Sequence, residues 1–172
     1  MLRKMRPLAA ECELEPDADP HAVARLILLR RLASAPRSRR QLEQDLAERG
    51  VPVEVGAEVL DRFAELGYVD DEAFARGWVH GRHRSRAMAR TAIRRELNQR
   101  GIDEEVAEVA LSEITDEQER ARGREFARRR LERMGGLEDA VACRRLVGAL
   151  MRRGFSGAAA SSVVREVLEQ RP

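Results

Sequence analysis

Three small groups of side chains in this sequence have types and spacings that could do chemistry. His80 and His83 lie three residues apart, a spacing that turns two imidazoles toward one ion on a helix. Arginines surround them and no cysteine or carboxylate is adjacent, so a cation would be repelled and its ligand set left incomplete. Asp70 and Asp71 form a carboxylate pair, but they precede a helical pattern. An aspartate there caps free backbone N–H groups and complements the helix dipole. Cys143 precedes Arg144 and Arg145 with no histidine nearby to support a thiolate, and it reads as a small, half-buried apolar residue. No phosphate-cradling glycine loop and no nucleophile elbow occurs. The expectation is a non-enzyme with no catalytic residues, no cofactor and no metal.

Arginine is the chemistry that remains. The formal net charge is only +2, so the chain is not basic in bulk, yet the charge is unevenly spread. Residues 76 to 100 hold eight arginines and one acid, Glu96. Residues 120 to 133 hold seven arginines and two glutamates. Acids gather elsewhere: Glu54, Glu58, Asp61 and Glu65, then Glu104, Glu105, Glu108 and Glu113. Arginine is used throughout except at Lys4, the sole lysine, a bias that a GC-rich genome explains most simply.

Elements that could position these arginines follow from a repeat. "LEQDLAERGV", "IRRELNQRGI" and "LVGALMRRGF" place Gly50, Gly101 and Gly154 after an arginine and before Val51, Ile102 or Phe155. Leu42, Ile93 and Leu146 stand eight positions earlier, and Leu46, Leu97 and Leu150 four earlier. Leu60, Leu111 and Val164 stand ten later, and Phe63, Ile114 and Val167 thirteen later. The glycines are 51 and 53 residues apart, so a degenerate tandem repeat of that length is expected. The apolar pair before each glycine is one helix face, and the glycine suits the left-handed residue that ends the helix. Asp103 and Ser156 then stand at N-cap positions, and Pro52 opens the matching helix.

Each repeat carries an earlier helix: "AVARLILLRRLAS", the segment from "DDEAFARGWVH", and "DEQERARGREFARRRLERM". Ser38 with Gln41, and Thr115 with Gln118, have capping-box spacing. Asp70 or Asp71 caps the helix on which Phe74 and Trp78, four residues apart, face inward. The predicted fold is all-α: three tandem three-helix repeats, residues 21–67, 68–115 and 116–172, in an elongated, curved array after a flexible tail, 1–20. The tail is assigned from its three prolines and acidic bias. Cys12 and Cys143 are too few for a disulfide framework, and no apolar run is long enough to span a membrane. A cytoplasmic protein is expected.

The repeat excludes one attractive function. In a helix-turn-helix reader, the helix after the turn enters the DNA groove. Here that helix is acidic in two repeats, so DNA would be repelled. The basic helices suit phosphates met nonspecifically, or an acidic protein surface.

"LGYVDDEAFARGWV" followed by "AIRRELNQRGID" resembles the core signature of the RecX family, bacterial regulators of the RecA recombinase. The matching positions are Gly67, Tyr68, Val69, Asp70, Asp71, Phe74 and Ala75, then Ile93, Glu96, Leu97, Gly101 and Ile102. "RSRAMAR" departs from the small residues the family often has before the second helix. The resemblance implies three tandem three-helix repeats. It also implies a protein that binds the RecA–DNA filament and impedes its ATP turnover, strand exchange or growth, in control of recombination, DNA repair and the SOS response; a monomer is expected. The alternative is a nonspecific DNA-binding architectural protein. On either reading the expected contact surface is Arg82, Arg84, Arg86, Arg90, Arg94 and Arg95, continued by Arg128, Arg129 and Arg130.

Overall fold

The structure is a computed structural model and describes residues 19–170. Residues 1–18 of the expected tail lie outside that range. The described chain forms nine helices and no strand. They are α1 Pro20–Ser34, α2 Arg39–Ala47, α3 Val53–Glu65, α4 Asp71–Arg86, α5 Arg90–Gln99, α6 Glu104–Ser112, α7 Asp116–Glu132, α8 Asp139–Met151 and α9 Gly157–Glu169. The first helix opens at Pro20, with Asp19 accepting from the His21 N–H at 3.0 Å. Proline fits the first helical position because its φ is already helical and it has no N–H to satisfy.

Local chemistry sets the helix boundaries. Both capping boxes close as their spacing predicts, Ser38 with Gln41 and Thr115 with Gln118. Asp70, Asp103 and Ser156 accept the first free N–H groups of α4, α6 and α9. Gly50, Gly101 and Gly154 adopt φ of +74°, +74° and +92°, the left-handed turn that ends α2, α5 and α8. The apolar residue after each glycine donates its N–H back to Leu46, Leu97 or Leu150, satisfying a terminal carbonyl.

The aligned apolar positions form three cores. Leu42, Ile93 and Leu146 are fully buried, as are their neighbours one turn on, Leu97 and Leu150, with Leu46 nearly so. Leu60, Leu111 and Val164 bury from the third helix of each repeat, joined by Phe63, Ile114 and Val167. In every repeat the first helix packs on the third, α1 on α3, α4 on α6 and α7 on α9. The chain is therefore all-α, with three tandem three-helix repeats.

Backbone groups join the repeats in a recurring way. Ser38 Oγ donates to the Arg100 carbonyl at 2.6 Å, just before the Gly101 turn. The Arg39 N–H, free at the start of α2, donates to Asp71 Oδ1 of the next repeat at 2.8 Å. At the second joint, the Ala89 N–H donates to the Arg153 carbonyl at 2.9 Å and Thr91 Oγ1 to the Gly154 carbonyl at 3.1 Å. The Arg90 N–H donates to Glu119 Oε1 at 2.6 Å. Asp71 and Glu119 thus play the same part, one joint apart. A Cβ at Gly154 would stand 2.6 Å from the Ala92 Cβ, so the turn and α5 are in direct contact.

That contact separates two glycines with left-handed backbone. Gly50→Ala meets open space and carries only the conformational cost, about 1–2 kcal/mol. Gly154→Ala adds overpacking against α5, for about 2–5 kcal/mol in total. Chemical denaturation of the two variants should show this order; equal losses would mean that the second joint does not depend on close approach.

Candidate arginine interface

The surface arginines divide according to whether the protein itself neutralises them. Arg82 is largely enclosed. Its Nε donates to Glu96 at 2.6 Å and its guanidinium lies 4.0 Å from the centre of the Trp78 ring. Arg100 covers the same ring at 3.8 Å, and the indole N–H donates to Glu96 at 2.8 Å. Phe74 stacks beside it, with ring centres 5.7 Å apart and 19° between planes. The indole is half-buried, whereas Phe74 is buried as the i, i+4 pattern predicts. Full burial would leave the indole N–H without an acceptor. At the core edge it reaches Glu96 and offers its face to two cations.

Arg90 and Arg94 are also held internally. Arg90 pairs with Asp116 and, at 3.5 Å, with Glu119 across the second joint. Arg94 pairs with Glu108 and, at 3.4 Å, with Glu104 on α6. The acidic third helices therefore act in part as counterions within their own repeats, as Asp61 also does for Arg39 at 2.6 Å. Arg129 pairs with Glu125, and Arg128 donates to Gln170. By contrast Arg84, Arg86, Arg95 and Arg130 are exposed and make no ion pair with any described carboxylate. Of the nine arginines expected at a contact surface, these four keep their charge available, as does exposed Arg128, whose partner Gln170 is neutral.

Three of the four come together. α4 ends in a left-handed residue that is not glycine, Ala87, at φ +49°. The following turn brings Arg84, Arg86 and Met88 beside α7 and the end of α8. There they line a groove of about 500 Å³ with Arg130, Arg133, Arg152 and Arg153. Arg153 Nε donates to the Arg86 carbonyl at 3.0 Å, and its guanidinium lies 3.7 Å from the Phe126 ring centre. Burial, then the charges of Arg130 and Arg152, hold the Arg153 pKa below its ordinary value. The part of Arg152 was not legible in sequence, because α8 is remote from both arginine-dense stretches. Arg153 had a signal: it precedes the repeat glycine as Arg100 does, and both cover an aromatic ring of their repeat's first helix.

The other candidate chemistry dissolves into packing. His83 is buried with Nδ1 3.5 Å from the Met88 carbonyl, and burial pushes its pKa below 6.5. Asp70 caps α4 while Asp71 serves the joint, so the two carboxylates have separate tasks. Cys143 is a half-buried free thiol. Among the described residues no cluster of three or more His, Cys, Asp or Glu could hold a metal ion, and no helix is long and apolar enough to cross a membrane.

Two measurements check these assignments. Glu96→Gln keeps the indole acceptor but leaves Arg82 and Arg100 without their shared counterion, so unfolding should cost about 1–3 kcal/mol less. An unchanged melting temperature would remove Glu96 from any structural part. For His83, a folded pKa below the unfolded one means that the unfolded chain binds more protons as pH falls through about 6.5. Stability is therefore lost on acidification from pH 7 to 5, and His83→Gln should lose less over that range. Identical pH dependence in both proteins would refute it.

Comparison with known proteins places this geometry. Residues 24–63 match the first three-helix domain of RecX, 70–111 the second and 116–164 the third. The regulatory protein RecX of Streptomyces coelicolor is 44% identical over 156 residues, 91% of this chain and 83% of that protein. That of Thermobifida fusca is 48% identical over 151 residues, 88% of this chain and 82% of the relative. That of Mycobacterium tuberculosis is 36% identical over 161 residues, 91% and 92% of the two chains. The crystal structure of RecX from Lactobacillus salivarius superimposes with a TM-score of 0.76 at 20% identity, covering 88% of this chain and 98% of the other. A second crystal structure, of regulatory protein RecX, gives 0.74 at 24% identity over 88% and 74%.

Proposed function

This chain belongs to the RecX family, whose members compared above are named regulatory proteins, and from that premise we propose that it regulates RecA by binding the RecA–DNA filament. On this reading it slows the filament's ATP turnover, strand exchange and growth. The observation that carries the proposal is the gathering of guanidiniums Arg84, Arg86 and Arg130 at the second joint, with Arg95 on α5, all without an ion pair among the described residues. An acidic protein surface or a phosphate backbone would both be attracted there. A repeat array suits the task, since it offers a long surface on which modest contacts to several protomers add up.

Arg82, Arg90 and Arg94 take a supporting part on this reading. Each already has a carboxylate, so each fixes helices rather than offering charge to a partner.

Reversing Arg84, Arg86 and Arg130 to Glu should abolish inhibition of RecA's DNA-dependent ATPase while leaving helicity and melting unchanged. Single reversals should do little, because an exposed, screened pair contributes only about 0.2–1 kcal/mol. Normal inhibition by the triple variant sinks the proposed face. Tight binding to bare DNA, falling steeply with salt and indifferent to RecA, would move the reading to a nonspecific DNA-binding protein.

A further inference from the structure

The arginine groove has a property that filament binding does not require. It is concave, and its size lies within the range of small-molecule sites, roughly 300–1,000 Å³. Arg84, Arg86, Arg130, Arg133 and Arg152 line it without an ion pair to any described carboxylate. Glu125, the one acid in the lining, is taken by Arg122 at 2.7 Å and by Arg129. Guanidinium cannot shed its proton, so the charge is permanent. The walls are also fixed. The Arg153 side chain is anchored on Phe126 and on the Arg86 carbonyl, and Ala87 is held in left-handed backbone that alanine rarely adopts.

We infer that this groove is a binding site for an anion carrying consecutive phosphoryl groups, a phosphoanhydride chain such as that of a nucleoside triphosphate or of inorganic polyphosphate. Charge density decides the class. Six guanidiniums without a carboxylate among the described residues, Arg153 included, call for several negative charges within about 500 Å³. In an acidic peptide every charge brings a whole residue, and in a nucleic-acid strand every charge brings a nucleoside. Linked phosphoryl groups instead carry charged oxygens on every second atom of one short chain. Their oxygens also match the paired N–H donors of the guanidinium fork. The neighbouring groove at the first joint has the same origin and a different lining. It lies between the α1–α2 turn and α4, and is lined by Leu32, Pro36, Tyr68, Phe74 and Trp78. Arg37 and Asp70 also reach that lining with opposite charges, so the excess of guanidinium belongs to the second groove.

The site shares Arg84, Arg86 and Arg130 with the proposed filament surface, but its test uses the chain alone, so either can fail without the other. Calorimetric titration at low salt would compare tripolyphosphate, ATP, orthophosphate, hexaglutamate and a short oligothymidylate. Tripolyphosphate should bind one per chain, about tenfold or more tighter than orthophosphate. Equal binding of ATP would identify a nucleoside triphosphate as an admissible source; binding of tripolyphosphate without ATP would identify the bare chain. Arg130→Glu with Arg152→Glu should weaken binding by about tenfold or more at unchanged melting. Arg144→Glu with Arg145→Glu, exposed on α8 outside the groove, should leave it intact. The inference is overturned if orthophosphate binds as tightly as tripolyphosphate. It is equally overturned if hexaglutamate or oligothymidylate binds more tightly, or if the α8 control loses as much as the groove variant.

Discussion

The free N–H groups at the start of the second helix of a repeat are the constraint on which the array depends. A helix leaves its first donors without internal partners, and a buried orphan donor costs about 1–3 kcal/mol. In α5 the N-cap residue is Ala89, which has no side chain to help. Glu119 of the next repeat supplies the acceptor for Arg90, as Asp71 does for Arg39 one joint earlier. One first-turn donor of each of these two helices is thus satisfied by a side chain of the succeeding repeat. Folding either of the first two repeats to completion requires the next to be docked, which couples three small cores.

Docking also explains the glycines beyond helix termination. A left-handed turn can be made by asparagine, but Gly101 and Gly154 lie against Arg40 and Ala92 of the preceding repeat. The backbone carbonyls of that turn, Arg100 and Gly154, accept from Ser38 and Thr91. At Gly50 no described residue comes within 4 Å of where a Cβ would stand. One residue type therefore answers two demands in two repeats and only one in the first. The aligned triplets of apolar residues made the repeat legible in sequence because burial tolerates few substitutes. The joints were less legible, since a carboxylate that caps a neighbour's helix looks the same as one that caps its own. Asp71 is the case in point: adjacent to the true cap Asp70, it carried no signal of its different task.

Charge was legible as a pattern and misleading as a surface. Arginine-dense and acid-dense stretches suggested separate basic and acidic helices, yet Arg94 and Arg39 meet Glu104, Glu108 and Asp61 within their own repeats. Long side chains on adjacent helices reach across a gap that sequence separation hides. What remains unpaired is smaller than the sequence implied and more concentrated, because the turn after Arg86 brings residues from α4, α7 and α8 to one place. Proximity of that kind depends on the crossing of three helices, and no local spacing encodes it.

The two grooves indicate how one architecture carries different surface chemistry. Each lies between the turn joining the first two helices of a repeat and the first helix of the next. With Asp71 and Glu119 in register, Phe74 corresponds to Arg122 and Trp78 to Phe126. The joint itself is made by main-chain donors and acceptors, a hydroxyl and one carboxylate, none of which points into the lining's bulk. Side chains along the groove are consequently free to change while the docking geometry holds. In the first groove that freedom leaves aromatic and aliphatic surface around Tyr68 and Trp78. In the second it collects guanidiniums whose mutual repulsion would unseat a weaker joint. The clamp of Arg153 on Phe126 and on the Arg86 carbonyl is what such a crowd needs, since it turns one of the repelling cations into a hydrogen-bonded part of the wall.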